Sequence, residues 1–339
     1  MNLLYLTGAR IYSPRLREVN NLYRAAHAGT LPGVTLGGPG FDAPLPQPLP
    51  LPEYVKRFSP TVDAVFLSDP WHNFWDPCAD YPNCPSLYAG IENLDLPVIL
   101  ESGDSQFYYA EIIKHLEAKP KKRAVAIRAL SHRWRFAPSL PRLVRNEPGP
   151  PANLDTAIFY LPHGAYPEMT EAARGVEKTC DVLFSGSDLP DSYPARARIA
   201  QALRKAPDIK TSWLPHPSDR PHDVIGPKFW RAVAGAKIAV AGTNAYRNLT
   251  MLYLEIPASG ALAIGDAPWP EQERDAWGEH MIDIGDVGPE GVAMMIREAL
   301  RNPAELSRRT HAAREFVLTR HSFRAEWARV MGEIEAWIS

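Results

Sequence analysis

Cysteine is scarce in this sequence: its 339 residues include three, Cys78, Cys84 and Cys180. An odd and sparse set of cysteines argues against a disulfide framework. Cys78 and Cys84 lie near His72, but their spacing is wider than that of structural zinc sites and no second pair matches it. We therefore expect a proline-rich surface loop at this position and no bound metal.

Long apolar runs and an excess of charge of one sign are absent as well. No run approaches the roughly 20 apolar residues that a membrane span needs, and the first residues lack the basic start and long apolar core of a signal peptide. The net charge of −2 gives no overall basic excess of the kind that a dedicated nucleic-acid binder shows. These absences predict a cytoplasmic protein without a membrane span.

The three-glycine fingerprint of a dinucleotide-binding turn is also missing. The first apolar run ends in Gly8, and no glycines follow it in the required spacing. We therefore do not expect a nicotinamide-dependent dehydrogenase.

Strand-like and helix-like runs alternate along the chain. This alternation predicts βαβ units and parallel sheets. The alternation resumes near residue 155, after a stretch at 137–154 that concentrates Pro, Gly and Asn. A chain of this length supports two domains. We place an N-terminal domain at residues 1–150, a C-terminal domain at 151–320 and a final amphipathic helix at 321–339.

The first informative stretch joins small residues to arginines. A buried strand runs into Ser185, Gly186 and Ser187, and a helix follows with Arg196 and Arg198 in its first turns. Small residues let a backbone approach a phosphate, while a helix N-terminus and an arginine supply positive potential and hydrogen-bond donors. The pattern predicts an anion site; the alternative is a tight turn followed by two solvated arginines.

The second informative stretch covers residues 242–266, GTNAYRNLTMLYLEIPASGALAIGD. Pro257 fits best in the first turn of a helix, where its missing N–H is not needed. This puts Glu255 near the helix N-terminus, at the carboxyl edge of a sheet, where a carboxylate can accept two hydrogen bonds from a ribose diol. The alternative is a capping glutamate that only offsets the helix dipole.

Taken in order, several stretches of the second half resemble a known family. They are LPHGAYPE, CDVLFSGS with YPARARIAQAL, GAKIAVAGT, EIPASGALAIGD and RHSFRAEWARVMGEI. The succession is similar to the donor-binding half of GT-B glycosyltransferases, most of all the group 1 type that includes the spore-maturation glycosyltransferase-like proteins. The likeness covers roughly residues 155 to 339, and its most specific part is the Glu-x4-Gly turn at Glu255 and Gly260.

The resemblance implies a fold and a reaction. The fold would be α/β of the GT-B type, with two Rossmann-like α/β/α domains facing a central cleft and a C-terminal helix packing back on the N-terminal, acceptor-binding domain. The reaction would be hexosyl or pentosyl transfer from a nucleoside diphosphate sugar, a UDP-sugar or alternatively a GDP-sugar, without a metal or bound cofactor. The acceptor stays open among glycans, small metabolites, proteins and modified nucleic-acid bases, and the oligomeric state stays open too.

The resemblance also assigns donor-site roles. Glu255 would bind the ribose hydroxyls, and Gly260 would end the helix that carries it. Arg196 and the loop from Ser185 to Ser187 would lie near the diphosphate.

One position departs from the family pattern. Many retaining members carry a second glutamate eight positions before the ribose-binding one, and here that position holds Arg247. Arg247, with Tyr246 and Asn248 beside it, would instead help to neutralise the diphosphate. The expected metal independence follows, because arginines and helix dipoles would meet this charge.

Candidate catalytic groups follow strand-like runs, because open α/β sheets bind ligands beyond the carboxyl ends of their strands. An inverting enzyme needs a base for the acceptor hydroxyl, whereas a retaining one can use the leaving phosphate. The candidates are Asp104, His132 and His163, with Asp69 and His72 considered beside them.

A basic run at residues 121–136 carries aromatic residues among its charges. Such a run can serve an anionic acceptor; the alternative is the solvated edge of a strand. Its basic residues are Lys121, Lys122, Arg123, Arg128, Arg133 and Arg135.

Two other functions fit the same resemblance. A sugar-nucleotide epimerase would act on the donor with no acceptor present. A non-catalytic relative, serving as a binding or assembly factor, would bind no nucleotide if its site has decayed.

Overall fold

A computed structural model describes eleven segments of the chain: residues 1–7, 33–37, 51–58, 61–68, 93–102, 123–128, 157–161, 163–214, 226–243, 250–267 and 277–339. The chain divides into two compact units. The first takes its residues from 1–128, 132–162 and 326–339, and the second from 129–131 and 163–325.

The first unit is built on a six-stranded parallel sheet. The strands run in the order β2-β1-β3-β4-β5-β6. Strands β1 and β3 are buried along almost their whole length, as in parallel sheets that are covered on both faces. The strands are β1 (Leu3–Thr7), β2 (Val34–Gly37), β3 (Ala64–Ser68), β4 (Val98–Ser102), β5 (Arg123–Arg128) and β6 (Ala157–Leu161).

Strand β6 belongs to the sheet of the first unit. From the sequence we predicted that this segment is the first strand of the second half, because it follows the boundary at residue 150. In the structure, Ala157–Leu161 pairs in parallel with β5, and the second unit has its first strand at Cys180–Ser185. A strand's apolar pattern is set by burial on both faces, so it does not tell which of two sheets the strand joins.

Two of the described helices pack on the first unit's sheet. Helix α1 (Leu51–Phe58) buries Leu51, Tyr54 and Val55, one stripe at helical spacing, in the cluster that contains Leu4 and Leu6. The last helix, α8 (Phe323–Ile338), begins in the second unit, and from Glu326 onward its residues belong to the first.

Helix α8 follows the apolar spacing that its sequence predicted. Trp327 packs its ring against those of Tyr5 and Phe66, with centroids 6.0 and 6.3 Å apart. Val330 and Ile334, one and two turns further on, are fully buried. The final helix therefore packs back on the sheet of the first unit, as expected.

The second unit has a five-stranded parallel sheet in the order β11-β10-β9-β7-β8. Its strands are β7 (Cys180–Ser185), β8 (Thr211–Leu214), β9 (Ala236–Val240), β10 (Leu262–Gly265) and β11 (Met281–Asp283). Its helices are α2 (Pro167–Ala173), α3 (Pro194–Arg204), α4 (Pro227–Ala234), α5 (Leu252–Ala258), α6 (Pro289–Arg301) and α7 (Pro303–Arg320).

Proline marks the start of five of these helices, where its fixed backbone angle suits a helix and its missing N–H has no partner to lose. Among the described helices, none has a stretch long and apolar enough to cross a membrane.

Two backbone segments of the second unit lie against each other just before α2 and α8. The N–H of Ala165 donates to the carbonyl of His321 at 2.7 Å, and the N–H of Phe323 donates to the carbonyl of Ala165 at 3.0 Å. A Cβ at Gly164 would lie 2.3 Å from Cα of Phe323. Only glycine therefore lets the two backbones approach this closely.

The strand order also fixes where a ligand would lie. After β8 the chain returns to the other side of β7 to form β9, so the order reverses between β7 and β9. Open α/β sheets bind ligands in the crevice beyond the carboxyl ends of the two strands at such a switch point. We therefore expect a ligand-binding site among the residues that follow β7 and β9.

Candidate functional site

The loop after β7 has the small residues that close approach requires. Gly186 adopts φ +93°, in the left-handed region that favours glycine. The hydroxyl of Ser187 accepts the N–H of Leu189 at 3.3 Å and so shapes the turn into α3. The predicted loop of Ser185, Gly186 and Ser187 thus lies at the switch point, between a buried strand and the N-terminus of a helix.

Arg196 of α3 lies between the ends of the two switch-point strands. A Cβ at Gly186, after β7, would come within 2.8 Å of its Nη1, and a Cβ at Gly242, after β9, would come within 2.8 Å of its Cγ. Both glycines therefore make room for this side chain. The sequence pointed to Gly186 and Arg196, whereas Gly242 was missed because only the fold brings it beside Arg196.

The guanidinium of Arg196 is buried and makes no hydrogen bond to any described residue. The residue is 5% exposed, and within the described part of the chain its Nε has no hydrogen-bond partner. Burial lowers the pKa of Arg196, although Tyr193, Tyr253 and Asp266 act in the opposite direction. A buried cation with unused donors is a group that can receive an anion.

A second arginine of α3 has a different role. Arg198 donates to the carbonyls of Gly285 and Val287 at 2.8 and 3.0 Å, and so fixes the turn after β11. The sequence pattern predicts that the two arginines of this helix either bind an anion or are solvated side chains. In the structure Arg198 is neither, because backbone carbonyls use its donors.

Asp266 joins the ends of β9 and β10. Its carboxylate accepts the backbone N–H of Thr243 at 2.9 Å and also the hydroxyl of Thr243. The hydroxyl of Tyr253, in α5, donates to the Asp266 carbonyl, and burial raises the pKa of Tyr253 well above its usual value. None of these three residues was predicted; the signal for Asp266 was an acidic residue directly after a buried strand.

Glu255 lies in the first turn of α5, as its sequence predicted, but in the protein interior. It is 1% exposed, and the indole N–H of Trp230 donates to its Oε1 at 3.0 Å. The hydrogen bond joins α4 to α5. The ribose hypothesis assumed a carboxylate at an open edge, whereas the structure gives one of its oxygens a protein donor.

The placement of Pro257 in the first helical turn is wrong, since α5 begins at Leu252 and Pro257 is its sixth residue. Proline lacks the N–H that would bond to the carbonyl four residues earlier, and the helix ends one residue after it, at Ala258. Gly260 adopts φ +83°, and its N–H donates to the carbonyl of Pro257 at 2.9 Å. Gly260 thus lies directly after the end of α5, in the conformation typical of a helix C-terminus.

The predicted groups on the acceptor side are mostly outside the described residues. This holds for the predicted catalytic Asp104 and His132 and for the basic run apart from β5, and on the donor side for Tyr246, Arg247 and Asn248. Asp69, His72, Cys78 and Cys84 lie outside them as well. His163 is described; it is half-buried and follows β6 by two residues.

Arg123 of the basic run is a structural residue. It is 1% exposed and donates to the carbonyls of Leu94 and Leu96 at 3.3 and 3.1 Å. Burial lowers the pKa of Arg123, with Asp95 acting in the opposite direction. Arg123 is therefore not available to an anionic acceptor. As for metals, among the described residues no three His, Cys, Asp or Glu side chains are grouped closely enough to hold an ion.

Comparison with known proteins shows similarity of structure. No protein-family model matches the sequence, and no curated protein matches it. A glycosyltransferase from Rickettsia africae ESF-5 has a TM-score of 0.59 at 12% identity, over 99% of this chain and 97% of that one. HepE from Anabaena, in complex with UDP and glucose, has a TM-score of 0.61 at 10% identity, over 99% of both chains.

A third solved structure is an alpha-glucosyltransferase in complex with UDP and a 13-mer DNA containing a HMU base. Its TM-score is 0.53 at 12% identity, over 98% of this chain and 99% of that one. Together with the two parallel sheets, these likenesses show that the chain has the GT-B fold. The fold class predicted from the sequence is therefore confirmed.

Proposed function

We propose that this protein is a glycosyltransferase that moves a hexosyl or pentosyl group from a nucleoside diphosphate sugar, a UDP-sugar in the first place, to an acceptor. The observation that carries the proposal is the buried Arg196, whose Nε has no hydrogen-bond partner among the described residues and which lies at the switch point of the second sheet. Anabaena HepE, whose structure is similar to that of this chain, was solved with UDP-glucose, which supports a UDP-sugar.

The diphosphate is the part of the donor that this site suits best. Arg196 would donate to its oxygens, and the loop from Ser185 to Ser187 would let the ligand approach the backbone at the N-terminus of α3. We also propose that Arg247, with Tyr246 and Asn248, contributes from the β9–α5 connection. Charge stabilisation of the leaving diphosphate by these groups would serve the reaction without a metal ion.

Glu255 is our proposed partner for the ribose hydroxyls. Its support is its position in the first turn of α5, next in the chain to the β9–α5 connection, and the indole of Trp230, which holds the carboxylate in one orientation. Gly260, directly after α5, would set the length of that helix. Because Glu255 is almost fully buried, the ribose would have to lie against the protein interior.

On the acceptor side we propose Asp104, His132 and His163 as the groups that orient or deprotonate the acceptor. They follow β4, β5 and β6, whose carboxyl ends lie at one edge of a parallel sheet. The acceptor class stays open; one structurally similar alpha-glucosyltransferase was solved with a 13-mer DNA containing a HMU base. We further propose the spore-maturation type of group 1, from the sequence resemblance over roughly residues 155 to 339, and a cytoplasmic location.

A thermal-shift screen tests the proposal. The protein is heated with UDP, GDP, CDP, ADP and dTDP and with their sugar conjugates, because a ligand that binds only the folded state raises its stability. A selective rise that is lost in Arg196→Met would support a nucleotide site and identify the base. If no nucleotide stabilised the wild-type protein, the proposal would fail and a non-catalytic role would be favoured.

Turnover then separates the reaction classes. Isomerised nucleotide sugar formed without any acceptor would identify an epimerase and overturn the transferase. Activity that vanished with a chelator and returned only with a divalent cation would overturn the metal-free part alone.

A further inference from the structure

Arg196 is supported by an aromatic ring. Its guanidinium carbon lies 4.4 Å from the centroid of the Tyr193 ring, the residue immediately before α3. Asp266, whose charge acts on Arg196, uses its carboxylate to bind Thr243. No hydrogen bond joins Asp266 to Arg196 within the described part of the chain. A ring face is therefore the direct partner of this buried cation.

The chemistry of its partner determines whether the N–H donors of Arg196 remain free to bind a ligand. Burying a guanidinium without a partner is costly, and a carboxylate would offset that cost but would occupy its N–H donors. The face of an aromatic ring attracts a cation through its quadrupole and uses no N–H donor. Tyr193 therefore stabilises the charge of Arg196 while leaving its donors for another ligand.

The other arginines of α3 show the contrast. Arg198 uses its donors on the carbonyls of Gly285 and Val287, and Arg204 donates to Asp188 at 2.6 Å. Of the three arginines in this helix, Arg196 alone makes no hydrogen bond to any described residue. It is also the one that the two switch-point glycines accommodate.

We propose that Tyr193 is a positioning residue that holds Arg196 as a buried cation with free donors, so that the site selects ligands by their phosphate groups. This inference rests on the proposed function, because it states which residue positions Arg196 to bind the diphosphate of the donor. Tyr193 acts through Arg196 and need not touch the ligand. Its ring matters for this role, and its hydroxyl does not.

Isothermal titration with three ligands tests the proposal: inorganic pyrophosphate, UDP and uridine. In Tyr193→Leu we expect the affinity for pyrophosphate and UDP to fall about tenfold, the order of effect of a desolvated cation–π contact. The affinity for uridine, which has no phosphate, should not change. Tyr193→Phe, which keeps the ring, should bind all three ligands as the wild-type protein does.

Trp213→Leu is the matched control. The Trp213 ring lies 5.2 Å from the guanidinium carbon of Arg204, at the other end of α3, and Trp213 is 42% exposed. This variant removes a ring beside an arginine of the same helix without affecting Arg196. Its affinity for pyrophosphate should equal that of the wild-type protein.

Several outcomes would overturn the proposal. It would be overturned if Tyr193→Leu bound pyrophosphate as tightly as wild type, or if its affinity for uridine fell equally. It would also be overturned if Tyr193→Phe lost as much pyrophosphate affinity as Tyr193→Leu. Each of these outcomes would leave the proposed function intact. Failure of the wild-type protein to bind both UDP and pyrophosphate would overturn both proposals together.

A measurement on the wild-type protein covers the case in which Tyr193→Leu does not fold. The Arg196 Nε–H resonance, assigned by its loss in Arg196→Lys, should be shifted upfield by the tyrosine ring and should move when pyrophosphate is added. A resonance that lacks the upfield shift or ignores pyrophosphate would contradict the proposal.

Discussion

Replacing Arg196 with methionine should make the protein more stable and its donor site weaker. Arg196 is 5% exposed and makes no hydrogen bond to any described residue, so the substitution breaks no hydrogen bond within that part of the chain. It removes the desolvation cost of a buried cation, several kcal/mol for an ion of this kind. Against this stand the contact with the Tyr193 ring, about 2 kcal/mol when desolvated, and the attraction of Asp266.

The sum of these contributions makes the methionine variant more stable, because methionine is a flexible apolar side chain that fits the space beside Gly186 and Gly242. We expect the free energy of unfolding to rise by about 1 to 3 kcal/mol, the range found when buried ionic groups are replaced by apolar ones. Unfolding in guanidinium chloride measures it, with the slope against denaturant unchanged. In the same variant, the affinity for UDP should fall.

Arg198→Met on the same helix is the control. It leaves the carbonyls of Gly285 and Val287 without their donors, and it should lower the free energy of unfolding by about 1 to 3 kcal/mol. Loss of stability in Arg196→Met equal to that in Arg198→Met would refute our reasoning, because the contacts of Arg196 would then outweigh the cost of burying its charge.

Three further predictions concern other parts of the second unit. Gly164→Ala should destabilise the protein by more than about 3 kcal/mol, because its Cβ would lie 2.3 Å from Cα of Phe323; a melting temperature within a few degrees of wild type would contradict this close approach. Trp230→Phe should cost about 1 to 3 kcal/mol in denaturant unfolding, because it removes the donor to the buried Glu255 carboxylate; an equal loss in Trp230→Phe when Glu255→Met has already removed the acceptor would show that the hydrogen bond is not the cause. Burial alone would raise the pKa of Asp181, but a lysine of β9 and a backbone N–H more than offset this and lower it. The stabilisation that charged Asp181 gives to the folded state is thus present above its unfolded pKa of about 3.9 and is lost as the pH falls through its folded pKa. The difference in the free energy of unfolding between wild type and Asp181→Asn should therefore shrink below about pH 4. A difference that persists at lower pH would show that the charge of Asp181 is not its cause.

Local patterns allowed much of the fold to be predicted from the sequence. The alternation of apolar runs indicated parallel sheets, and the glycine after α5 and the terminal helix were visible as local signals. These features depend on backbone conformation and on burial of one face, which neighbouring residues determine. The membership of β6 in the first sheet was not predictable in this way, since strand pairing joins residues far apart in the chain.

The candidate site was predictable only in part, for the same reason. Arg196 and Arg198 are two residues apart, and their side chains have the same chemistry, yet one makes no hydrogen bond to a described residue and the other binds two carbonyls. Gly242 approaches Arg196 from a different strand, and Thr243 approaches Asp266 likewise. Only the strand order β9-β7 and β10-β9 brings these pairs together, and sequence spacing contains no record of it.

The features that lower the stability of the second unit are those that the proposed function uses. A buried cation costs free energy in the empty protein, and glycines at Gly186 and Gly242 add the backbone entropy that they lose on folding. A chain selected for stability alone would fill this space with an apolar side chain and with residues that carry a Cβ. Arg196 and both glycines depart from that choice together, at the switch point of the sheet. Such a coincidence of local costs is expected at a functional site, and an anion bound there, as we propose, would accept the hydrogen bonds that Arg196 does not make within the described part of the chain.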